Sequence, residues 1–123
     1  MALITEDNLI SAFQTLLEQD QLELLVQIAE KWKIKDTLPQ RASIIESRAF
    51  IRLCLLELAW HRIKNVEHSK EKLEITVDVL IHRGWMSKAR GALVQLQSEH
   101  PKHPRLEEYY RAVRNGVQPP RNA

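Results

Sequence analysis

The sequence predicts an all-α fold of five to six antiparallel helices, packed as a bundle of helical hairpins. Three observations carry that expectation. Apolar residues recur at three- and four-residue spacing over most of the 123 residues. The three Gly and five Pro stand at segment boundaries instead of punctuating a turn-rich β fold. Ser, Thr and Asp precede the apolar runs, where helices start. With 44% hydrophobic and 28% charged residues, the composition is that of one ordinary folded domain.

The first helix is expected from Thr5 to about Leu17. Thr5 caps it, Glu6 and Asp7 suit its positive end, and Ile4 staples against Leu9. Leu9, Phe13, Leu16 and Leu17 form its apolar stripe. Asp20 and Glu23 have capping-box spacing, so a second helix starts there, with Leu22, Leu25, Val26, Ile28, Ala29 and Trp32 turned inward. The two make an antiparallel hairpin.

Thr37 caps a long third helix, opened by Pro39 and reaching His61 or Lys64. From Ala49 to Trp60 it is apolar nearly all round, which makes it the central element, with Cys54 buried in it as a small hydrophobe. Ser69 caps a fourth helix carrying Leu73, Val77, Leu80 and Ile81, ended by Gly84 in the left-handed conformation. A fifth runs from Met86 to Glu99 and packs through Ala89, Ala92, Leu93 and Leu96. Pro104 opens a sixth, with Leu106, Tyr109, Tyr110 and Val113, and Gly116 stops it. Residues 1–116 read as one helical domain and 117–123 as a disordered tail.

The net charge of +2 conceals a split. Residues 1–30 carry six acids and no Lys or Arg; the remainder holds all 18 basic residues and the other ten of the 16 acids, a net of +8. Either the basic part attracts an anionic partner, or the acidic helices pair with basic ones inside the fold. The N-terminus has neither the basic nor the apolar region of a signal peptide, and no apolar run approaches the roughly 18 residues of a membrane span, so a cytoplasmic protein without membrane contact is expected.

Residues with chemical potential do not assemble into a catalytic pattern. His61, His68, His82, His100 and His103 supply no ligand pair on one helical face, so no metal is expected. There is no nucleophile elbow and no glycine-rich phosphate loop, and a buried thiol is inert. Neither enzymatic activity nor a cofactor is expected.

Segment 70–103 carries a repeat-like pattern. Counted from Lys70, Gly84 falls on a turn between two helices, Ala89 on the small residue at their closest approach, Leu93 and Leu96 on the next packing positions, and Pro101 on a closing proline. Pro104 then starts another helix in register. This resembles a tetratricopeptide repeat, a unit of about 34 residues folded as two antiparallel helices. The resemblance covers one unit and the helix after it. The first two helices are candidates for a degenerate copy, whereas the long third helix fits no such unit.

The resemblance implies a groove lined by the first helix of each pair: Glu71, Glu74, Ile75, Asp78, Ile81 and His82, then Arg105, Glu108 and Tyr109. Such a groove suits a peptide or a partner helix. Trp85, beside the turn, is the aromatic expected to be partly exposed. Glu74, Asp78, His82, Trp85, Arg105 and Tyr109 are therefore the candidate partner-binding residues of a protein–protein adaptor within a larger assembly.

Two alternatives stand beside that reading. Arg41, Arg48 and Arg52 share a narrow sector at about 100° per residue. With Lys31, Lys33 and Lys35 they form a patch fit for an RNA or DNA backbone in a nucleoprotein complex. The dense apolar content of the third helix also suits an all-α homodimer with a structural role.

Overall fold

The computed structural model describes residues 5–116, and of Lys35 the backbone alone; the tail expected at 117–123 lies outside the described residues. Seven α-helices and no strand occur among them. The chain divides between Val66 and Glu67 into two compact units. The first holds α1 (Glu6–Glu18), α2 (Leu22–Lys35), α3 (Gln40–Arg52) and α4 (Leu56–Ile63); the second holds α5 (Lys70–His82), α6 (Met86–Glu99) and α7 (Leu106–Asn115). The all-α expectation holds. The count of five to six does not, because the long third helix is two helices.

The break falls at Cys54. Its φ is +62°, its N–H donates to the Ile51 carbonyl at 3.0 Å, and the Leu55 N–H donates to the Phe50 carbonyl at 2.8 Å. This is a Schellman turn, which returns two orphan carbonyls at a helix end to backbone donors. The run is apolar on both sides of it and contains neither Gly nor Pro, so hydrophobic periodicity passes through without interruption. The turn also lifts Cys54 to the surface, where the sequence pattern implied burial.

The same turn closes two other helices. At Asp20 (φ +60°) the N–H groups of Asp20 and Gln21 reach the carbonyls of Leu17 and Leu16 at 3.1 and 2.8 Å. At Gly84 (φ +80°) those of Gly84 and Trp85 reach Ile81 and Leu80, both at 2.9 Å. Asp20 is therefore no N-cap for α2: Gln21 precedes that helix and supplies no side-chain cap. Thr37 likewise does not cap α3, whose N-cap is Pro39. Thr5 and Ser69 do cap, their hydroxyls accepting from Asn8 and Lys72 N–H at 3.1 Å each.

Three hairpins result, α1–α2, α3–α4 and α5–α6. Their first helices are each 13 residues long and start at Glu6, Gln40 and Lys70, 34 and then 30 positions apart. Counted from the left-handed residue, the positions seven before are Phe13, Ser47 and Val77, five after are Leu25, Ala59 and Ala89, and nine after are Ala29, Ile63 and Leu93. All nine are fully buried. Every hairpin thus buries the same three positions. The middle hairpin is shorter, and α4 has 8 residues where α2 and α6 have 14.

The first unit packs Leu9, Phe13, Leu25, Ala29, Ala42 and Ala49 into one cluster, with Trp32 against it. The second packs Leu73, Val77, Ala89, Leu93, Leu96 and Tyr109, and α7 joins through Ala112 and Val113. Gly116 ends α7 at φ +68°. Among the described residues no helix is long and apolar enough to cross a membrane.

Candidate functional site

The hairpin register aligns α3 with α5 at an offset of 30. Arg41, Ile44, Arg48 and Arg52 then occupy the positions of Glu71, Glu74, Asp78 and His82. The basic stripe and the acidic groove read from the sequence are thus the same helix face in two successive hairpins, one of each charge.

In the second unit, five of the six partner-binding candidates come together. His103, fully enclosed between α6 and α7, lies with Nε2 3.1 Å from Glu74 Oε1, and its Nδ1 accepts the Arg105 N–H at 3.1 Å. Arg105 sends its guanidinium to Asp78 at 3.4 and 3.5 Å and to Glu108 at 3.3 Å. Its Cζ sits 4.5 Å from the centroid of the buried Tyr109 ring. His82 is buried as well, Nδ1 2.7 Å from the Asp78 carbonyl. Burial works against the Arg105 cation, yet Asp78, Tyr109 and Glu108 outweigh it and hold its pKa above the ordinary arginine value. Burial first, and then the Asp78 carboxylate, raise the Tyr109 phenol well above its usual range. These contacts tie α7 to α5, and Glu71 remains exposed on the same face.

Trp85 takes no part in that network. It is 42% exposed at the α5–α6 turn, with Arg83 Cζ 4.0 Å and Lys88 Nζ 4.7 Å from its ring centroid. These distances are those of cation–π contacts.

The basic candidates of the first unit divide differently. Lys31 and Arg41 are exposed and Arg48 is half-buried. Arg52 donates to the Leu17 carbonyl at 2.8 Å, where a cation suits the negative end of α1, and lies 3.9 Å from Asp20. Lys33 Nζ bonds both Glu46 oxygens at 2.9 and 3.0 Å and Glu30 at 3.3 Å. Arg62 completes the cluster through Nε to Glu46 at 3.0 Å and Nη2 to Glu30 at 3.3 Å. Two acids of the N-terminal hairpin, Asp20 and Glu30, therefore meet cations of the same unit. The Lys35 side chain lies outside the description.

Glu46 and Arg62 escape a sequence reading that looks for exposed charge. Glu46 is fully buried. It lies in the stripe Ala42–Ile45–Ala49–Phe50, and an acid inside an apolar stripe requires a partner. That is the signal that finds it. Beside the cluster an open cavity of about 630 Å³ is lined by Lys33, Ile34, Ser43, His61, Arg62 and Asn65 among others. Its two permanent cations are already engaged by Glu46 and Glu30. Among the described residues no group of three or more His, Cys, Asp or Glu is arranged to hold a metal ion.

The fold and these sites define a helical-hairpin protein with polar first-helix faces. No protein-family model matches the sequence, and no curated protein or solved structure matches it.

Proposed function

We propose that the chain is a non-catalytic binding protein of the tetratricopeptide kind, each of its units offering a first-helix face to another protein. The thrice-repeated hairpin carries this reading: one turn geometry at Asp20, Cys54 and Gly84, and nine buried positions in common register. On this reading the α1–α2 and α3–α4 hairpins are the further copies that a repeat architecture needs. Those first-helix faces carry exposed Arg41 and half-buried Arg48 in one unit and exposed Glu71 in the other, groups suited to orient a peptide or helix of complementary charge.

Affinity purification with in-cell cross-linking, with and without nuclease, tests the reading. Wild type is expected to recover a discrete protein partner regardless of nuclease, and Arg41→Glu with Arg48→Glu, or Glu71→Lys, to lose it while circular dichroism stays helical. Identical recovery by all three proteins sinks the proposed faces. Recovery abolished by nuclease favours the nucleic-acid backbone as partner instead.

A further inference from the structure

The chain carries two patches of opposite charge, each at a hairpin turn and each with an exposed large apolar side chain, Trp85 in one and Leu24 in the other. In the second unit, half-buried Arg83 and exposed Lys88 stack on Trp85, and exposed Arg90 lies two residues further along α6. From Val79 to Ser98 the sequence contains no acid at all. In the first unit, Glu18, Asp20 and Glu23 are exposed around the α1–α2 turn, and Leu24 beside them is 44% exposed. No Lys or Arg occurs before Lys31, and Arg52 reaches the turn 3.9 Å from Asp20, so the docking acids are Glu18 and Glu23.

We propose that these two patches bind each other between copies, the acidic α1–α2 turn of one chain docking on the Trp85 patch of another. Charge complementarity selects the occupant. With Lys88 and Arg90 exposed beside Trp85, the patch suits an anionic surface that also offers an apolar contact, because an exposed indole buried in an interface is a typical hot spot. The α1–α2 turn presents both, with Glu18 and Glu23 opposite the cations and Leu24 available to the ring. The two patches differ, so the contact is heterologous, and each copy can engage a partner at both of its patches.

Sedimentation velocity on the full chain tests this. Wild type is expected to gain mass with concentration up to about 0.5 mM in about 0.05 M NaCl, and to return to monomer in about 0.5 M NaCl, where exposed charges are screened. Arg83→Glu with Lys88→Glu, and separately Glu18→Lys with Glu23→Lys, are each expected to weaken association at least about tenfold. Mixed in equal amounts, the two variants are expected to regain it, because each reversed patch then meets its complement. Trp85→Ser is expected to weaken association without loss of helical circular dichroism. Should a double reversal unfold, Lys88→Glu against Glu23→Lys carries the same comparison. A wild type monomeric throughout overturns the proposal, as does association that survives either reversal, a mixture that stays monomeric, or mass that nuclease removes. The partner-binding reading is tested at Arg41, Arg48 and Glu71, which these variants leave intact, so the two fail separately.

Discussion

The two units answer the same problem with different ion chemistry. Each buries acidic groups on the first helix of a hairpin. In the first unit one fully enclosed residue, Glu46, is clamped by two permanent cations, Lys33 from α2 and Arg62 from α4. In the second, two partly covered acids, Glu74 and Asp78, are met by His103 and Arg105 from the segment entering α7. These positions are not equivalent in register: Glu46 corresponds to Thr76, and Asp78 to Arg48. What recurs between copies is the turn and the three buried positions, whereas the polar links are particular to each unit. The repeated part makes a hairpin; the unrepeated part decides which further helix is fastened to it, α2 in one unit and α7 in the other.

The comparison breaks first at Tyr109. Its ring is fully buried under Arg105 and joins α7 to the second core, so Tyr109→Ala is expected to cost about 3–5 kcal/mol in urea unfolding. A loss under about 1 kcal/mol would mean that α7 is held by little more than its ends.

The ion clusters come next. Glu46→Ala removes the fully buried acid that both cations clamp, leaves Lys33 and Arg62 only the exposed Glu30, and is expected to cost about 2–3 kcal/mol. Asp78→Ala leaves Arg105 its bond to Glu108 and is expected to cost about 1–2 kcal/mol. Equal losses would erase the distinction drawn between the two units.

The turns supply a smaller and signed effect. Cys54 holds a left-handed conformation that costs an ordinary residue roughly 1–2 kcal/mol and glycine almost nothing, so Cys54→Gly is expected to stabilise the protein by about 1 kcal/mol. Gly84→Ala is expected to destabilise it by a similar amount. A Cβ at Gly84 meets no atom within 4 Å, so that cost is purely one of backbone conformation. A Gly84→Ala variant as stable as wild type would show that the turn is not under the strain assigned to it.

The smallest effect is one of pH. The Tyr109 phenol is raised in the fold by burial and by Asp78, so it stays protonated where an unfolded chain ionises. Its contribution is fully present below the ordinary tyrosine value of about 10 and is lost as pH rises above it. Stability is expected to fall on that alkaline limb, and Tyr109→Phe to flatten it; a limb unchanged by the substitution removes Tyr109 as its source.

Much of the fold was legible in the residues. The caps at Thr5 and Ser69, the left-handed Gly84, the bounds of α6 and the stop at Gly116 follow from local chemistry that acts within one turn of chain, and the structure has them where that chemistry requires. Asp20 was misread because the same residue type serves as an N-cap and as a left-handed turn residue, and only the neighbouring helix end decides between them. Cys54 gave no signal, since a Schellman turn is a backbone arrangement that an apolar run accommodates without any marker. Of the candidate site residues, spacing puts those of α5 on one face of that helix, and the tetratricopeptide resemblance adds Arg105 and Tyr109 to them. Their mutual pairing could not be read, because His103 and Arg105 reach Glu74 and Asp78 across about 27 to 29 residues of chain, farther than any helical periodicity extends.

The sequence by itself determined that this protein is helical, where most helices start, and that its second half contains a hairpin closed by glycine. Those properties rest on propensity, capping and apolar spacing, which are local. Tertiary structure alone decided that the central apolar run is two helices and that the same hairpin occurs three times. It also decided that Lys33 and Arg52 face inward to Glu46 and Leu17 while Lys31 and Arg41 remain at the surface. Those outcomes depend on which buried carbonyls and carboxylates need a donor, and that is settled only when the helices have packed.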